Sequence, residues 1–102
     1  MNCSIAIRRE AEIDLDEILV WYEIQKVGLG FDFIKQFEVT LQKILNNPYY
    51  TVTILKEARR ATLKRFPYEI VYRINEQNVE VRIIAIIHQS RDPEWFRKRV
   101  TQ

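Results

Sequence analysis

Residues 59–73, Arg59-Arg60-Ala61-Thr62-Leu63-Lys64-Arg65-Phe66-Pro67-Tyr68-Glu69-Ile70-Val71-Tyr72-Arg73, decide how the rest of the chain is read. Two runs with strand-like alternation flank Phe66-Pro67, where the proline marks a turn, so the stretch is expected to form two antiparallel strands. Five of its fifteen residues are Lys or Arg. That many cations are not buried unpaired. The aromatic rings among them supply the flat, partly polar surface that nucleic-acid and protein partners both use.

Outward from this hairpin, residues 55–63 read as its first strand, and 75–78 as a turn leading to a last long strand, Val79–His88. By the two-residue period of the pleat, Val79, Val81, Ile83, Ala85 and Ile87 are expected on one face, and Glu80, Arg82, Ile84, Ile86 and His88 on the other. Asp92-Pro93 has the form of a helix cap with proline at the first helical position, so a short helix over 94–100 should close the chain.

Upstream, Cys3–Ile7 reads as a strand. Ala11, Leu15, Ile18, Leu19 and Tyr22 then fall on one stripe of a helix, whose first turns carry Glu10, Glu12, Asp14, Asp16 and Glu17, favourable at the positive end of the helix dipole. Gly28 supplies a left-handed turn, and Phe33, Phe37, Leu41, Ile44 and Leu45 repeat the helical spacing until Asn46-Asn47-Pro48 ends it. The order β-α-α-β-β-β with a short C-terminal helix is an α+β fold, a helical hairpin packed on one face of an antiparallel sheet. Such a sheet can leave its other face wet, and Arg60, Lys64, Arg73 and Arg82 are expected on or near that face.

The 102 residues, 47% apolar with two glycines and three prolines, suit a single domain spanning 1–102. No window approaches a membrane span and the N-terminus lacks a signal-peptide pattern, so a cytoplasmic protein with no membrane partner is expected. One cysteine and one histidine exclude an internal disulfide and an ordinary Cys/His zinc site; no metal or cofactor is expected. Charge is segregated. Residues 1–50 hold five Lys/Arg against eight Asp/Glu, whereas 51–102 hold eleven against six, pointing to a polyanionic or acidic partner for the C-terminal half.

The chain resembles the RelE/ParE superfamily of bacterial type II toxin–antitoxin toxins. The resemblance is carried by Asp14-Leu15, Glu17-Ile18, Trp21-Tyr22-Glu23, Gly28-Leu29-Gly30, Phe33, Phe37-Glu38, Asn47-Pro48, Arg59-Arg60, Leu63 to Tyr68, Ile70, Tyr72, Ala85-Ile86, His88, Arg91-Asp92-Pro93 and Trp95. It implies a growth-inhibiting toxin, of the kind associated with plasmid stabilisation, that a cognate antitoxin wraps and neutralises. The implied target is DNA gyrase for ParE-like members, or mRNA on the ribosome for RelE-like ones.

Only the second mechanism is enzymatic. RNA cleavage needs a base, an acid and cations around the phosphorus centre. For it the candidates are His88, the chain's only histidine, with Arg65, Arg73, Arg82 and Tyr72. Arg59, Arg60, Lys64 and Arg91 are candidates for target or nucleic-acid contact under either mechanism. RelE-like sets often use several lysines and a tyrosine near the C-terminus; no tyrosine follows Tyr72 here, so the resemblance inclines to the ParE-like side. Self-association stays open.

Overall fold

The computed structural model describes residues 3–101. In chain order the elements are β1 (Ser4–Ile7), α1 (Arg9–Gln25), α2 (Leu29–Asn46), β2 (Thr53–Leu55), β3 (Ala58–Thr62), β4 (Tyr68–Asn75), β5 (Glu80–His88) and α3 (Pro93–Thr101). This is the α+β arrangement the sequence implies: a helical hairpin followed by a β-meander and a short terminal helix. The five strands form one sheet in the order β1-β5-β4-β3-β2.

The sheet is mixed rather than wholly antiparallel. β1 runs parallel to β5, Ile5 opposite Val81 and Ile7 opposite Ile83, because the α1–α2 crossover and the meander return the chain to β1's side in the same direction. The remaining pairs are antiparallel. What reads as one strand over 55–63 is two: Lys56 and Glu57, with φ of 50° and 61°, make a tight turn between β2 and β3. Cys3 lies just before β1, half-buried against the core.

α1 and α2 cover one face. Ala11 and Ile18 of α1, and Phe33, Phe37 and Ile44 of α2, pack with Ala61, Ile70, Tyr72, Val81, Ile83 and Ile86 of the sheet. Gly28 has φ 91°, the left-handed conformation expected of it. Gly30 serves close approach of the helices rather than a turn. It sits in the first turn of α2, where an added Cβ would stand 2.8 Å from the Leu19 carbonyl oxygen, so its bareness sets how closely the helices approach. Glu23 reaches from α1 to accept hydrogen bonds from the Gly28 and Gly30 amides at 2.9 and 3.1 Å, capping α2 with a carboxylate.

The other face is not left wet. α3 lies over it, and Val100, Trp95 and Phe96 pack with Ala58, Val71, Ile84, Ala85 and Ile87. The register shifts between Val71 and Tyr72, whose partners are Ala85 and Ile83, so Ile84 is an extra residue in β5. This bulge resets the alternation. Val81 and Ile83 face α1 and α2 as expected, but beyond it Ala85 and Ile87 join the α3 side and Ile86 returns to the helical-hairpin side.

Candidate functional site

A cleft of about 530 Å³ opens where α1, the end of β5 and the start of α3 meet, lined by Asp14, Glu17, Trp21, Tyr68, His88, Arg91 and Trp95 among others. It exists because β1 is short. β1 pairs with β5 only from Glu80 to Ile83, so beyond the bulge the β1-side edge of β5 has no strand beside it. Two long-range side chains take its place. Asp14 accepts the Ile86 amide at 3.1 Å, and Arg99 donates to the Ile84 carbonyl at 3.4 Å. Arg99 also holds Asp14 bidentately, at 2.6 and 3.2 Å.

At the mouth of the cleft the His88 ring meets Tyr68 edge-on, centroids 5.1 Å apart. His88 Nδ1 lies 3.0 Å from the Ser90 amide and 2.8 Å from its hydroxyl. An amide can only donate, so Nδ1 accepts and the neutral ring carries its proton on Nε2. The guanidinium groups of Arg91 and Arg99 stack on Trp95, 4.2 and 4.6 Å from the ring. Burial raises the Tyr68 hydroxyl above its ordinary pKa, against a smaller opposing pull from Arg91. Asp92 accepts the Glu94 amide at 3.0 Å and Pro93 follows it, the helix cap read from the sequence.

The sequence-derived candidates divide between the two ends of the sheet. His88 and Arg91 share the cleft, and the Gln89 amide bonds the Pro67 carbonyl at 2.9 Å, which draws the Lys64-Arg65 loop to the same end. Arg65 sits in that loop with φ 71°, its guanidinium 5.8 Å from the Phe66 ring. Arg73 and Arg82 are cross-strand partners towards the opposite end. Arg73 is tied to the Lys56 and Val100 carbonyls, and its pKa is lowered, mainly by burial and then by nearby Arg8. Arg82 pairs with Glu80 at 2.9 Å.

Arg60 faces the α3 side, between Glu69 at 3.6 Å and the Phe96 ring. Arg59 donates to the Thr51 carbonyl and covers the Tyr49 ring. Tyr72 is fully buried, its hydroxyl 2.7 Å from the Thr51 hydroxyl and 2.8 Å from the Pro48 carbonyl, and burial raises its pKa. Its proton is committed inside the fold. Arg99, which holds the cleft residue Asp14 in place, is a residue that sequence reasoning passed over; its partner lies 85 positions away, and no local pattern announces such a pair.

Several solved structures share this fold. Similar chains include one from the chromosomal ParDE toxin–antitoxin system of P. aeruginosa (19% identity, TM-score 0.72, covering 84% of this chain and 95% of that one). A free mutant of the E. coli toxin RelE gives 16% identity and a TM-score of 0.73, covering 99% and 97%. The RelBE2 complex of Mycobacterium tuberculosis gives 16% and 0.60, covering 86% and 99%. No curated protein matches in sequence. Residues 5–93 match the family described as the ParE toxin of the type II toxin–antitoxin system parDE. With the matched segment running from β1 through the cleft to the start of α3, this chain belongs to the ParE toxin family of type II toxin–antitoxin systems.

Proposed function

We propose that this toxin arrests growth as ParE-like proteins do, by binding DNA gyrase in the cytoplasm, and that a cognate antitoxin neutralises it by covering the surface used for that contact. The observation that carries the reading is the fate of Tyr72, Arg73 and Arg82. The first is sealed in the core and the other two are engaged away from His88, so they do not converge with it on one phosphodiester. A gyrase inhibitor needs no general acid or base; it needs a shaped surface. The end of the sheet that carries Lys64, Arg65, His88 and Arg91 beside the cleft provides one, with Arg59 and Arg60 as further contact candidates on β3.

A supercoiling assay with purified toxin tests this. Inhibition that rises with toxin and is relieved by the product of the neighbouring reading frame is expected; normal gyrase activity at saturating toxin overturns it.

A second reading rests on one feature of the same end. His88 and Arg91 line the cleft together, and a phosphate held by Arg91 would have at hand a hydrogen-bond donor in the neutral ring and, in the imidazolium form, a general acid. That reading requires cut message in a translating extract, and its loss in His88→Ala.

A further inference from the structure

α1 is apolar on two opposite faces, and only one of them is covered. Ala11, Ile18 and Tyr22 turn inward to the core. Ile13, Val20 and Ile24, spaced seven and four apart, lie on the opposite side of the helix, and Val27 in the following turn and Phe31 in the first turn of α2 are exposed as well. These side chains are 46%, 54%, 76%, 89% and 60% exposed. A helix on the surface of a globular protein ordinarily carries one apolar stripe, and a run of large apolar side chains left in water marks an interaction surface.

The borders of this stripe specify what covers it. Glu10 and Glu17 lie along one side and Glu12 and Asp16 along the other, all exposed. Among the described residues none of the four takes part in an ion pair; the acidic partners of the salt bridges are Glu69, Glu80, Glu94 and Asp14. From residue 9 to 26 the only cations are Arg9 and Lys26, at the two ends. We propose that the outer face of α1 is a docking surface for a cationic amphipathic helix of a partner protein, one that lays apolar residues at matching spacing along Ile13, Val20, Ile24 and Val27 and sets Lys or Arg against the flanking carboxylates. A second copy of this chain fits less well, because pairing α1 with α1 brings like charges together. An anionic membrane is repelled by the same carboxylates. The two surfaces share Glu17, which also lines the cleft, but Ile13, Val20, Ile24, Val27, Glu10, Glu12 and Asp16 lie outside that lining, so this inference does not rest on the gyrase reading.

The test uses the whole toxin and two synthetic probes: a short amphipathic helix of leucine and lysine, and its counterpart with glutamate for every lysine. Amide-resolved NMR should show shifts confined to α1 and the α1–α2 turn with the lysine peptide. Affinity should fall roughly tenfold or more in Ile24→Asp, a change at a side chain already in water that leaves the fold intact. It should fall again in the combined E10Q/E12Q/D16N/E17Q variant, and weaken with added salt. No shifts with the lysine peptide, equal binding of the glutamate peptide, or shifts centred on another face would overturn the proposal. So would self-association of the free toxin that Ile24→Asp abolishes, since the occupant would then be a second copy.

Discussion

Asp14 of α1 and Arg99 of α3 form a bidentate ion pair that spans the open edge of β5, with the Ile86 amide and the Ile84 carbonyl bound to the same two side chains. They are 11% and 13% exposed. The pair joins elements from opposite faces of the sheet and fixes Asp14 in the wall of the cleft.

Removing one partner leaves the other's charge and a strand-edge backbone group without a match in a poorly hydrated site. Asp14→Ala and Arg99→Ala should each cost about 3–5 kcal/mol of unfolding free energy. Arg99→Lys should recover only part of this, since an ammonium cannot hold both carboxylate oxygens in the guanidinium's geometry. Denaturant unfolding of the four proteins checks the order wild type, Lys, then Ala. A wild-type-like Arg99→Ala protein would show that the edge is held by packing alone.

The turn Lys56-Glu57 is a place where the molecule can be stabilised. Both residues have positive φ with no glycine or asparagine present, a conformation that costs an L-residue with a Cβ roughly 1–2 kcal/mol. A two-residue hairpin of this kind favours Asn-Gly. Lys56→Asn with Glu57→Gly should therefore stabilise the toxin by about 1–2 kcal/mol, read as a rise in Tm. The Lys56 carbonyl that Arg73 uses belongs to the backbone and survives the change.

The two glycines of the helical turn should respond differently for separate reasons. Gly28→Ala meets no neighbour but keeps a left-handed backbone, a cost of about 1 kcal/mol that Asn largely avoids. Gly30→Ala drives a methyl against backbone on α1, so the hairpin must open, at about 1–3 kcal/mol, and Asn is worse rather than better. Comparing unfolding of Ala and Asn at both positions separates backbone strain from close approach.

How much of this was legible in the sequence follows from the range of each signal. The helices of the hairpin announce themselves because Ala11, Ile18, Phe33, Phe37 and Ile44 repeat at helical spacing and all turn out buried. The alternation in β5 fails after Ile83 because residues 83–87 are all apolar, so the sequence carries no polar phase marker to reveal the extra residue at Ile84. The far face reads as wet because a helical hairpin covers only one face of such a sheet, yet Trp95, Phe96 and Val100 are enough to seat α3 on the other. The candidate cations were legible as a set but not as two groups, since strand register and the Pro67–Gln89 link decide which of them meet.

Tyr72 links stability to pH with a definite sign. Its pKa is raised from 10.0 in the folded state, mainly by burial, so the folded protein holds the proton more tightly than the unfolded chain does. The associated stability is complete below the unfolded value and is lost as pH rises through the folded one. Tyr22, Tyr50 and Tyr68 shift in the same direction and for the same leading reason. Unfolding free energy should then fall as pH is taken above about 10.

Tyr72→Phe should show a shallower fall. At neutral pH it gives up the hydrogen bonds to Thr51 and Pro48, a loss of about 1–3 kcal/mol. Toxicity gives the decisive comparison. At a temperature where Tyr72→Phe remains folded, it should still arrest growth, because a hydroxyl spent on Pro48 takes no part in reaching a target. Growth arrest abolished in a folded Tyr72→Phe protein would return this tyrosine to the candidate catalytic set, and with it the RNA-cleaving mechanism.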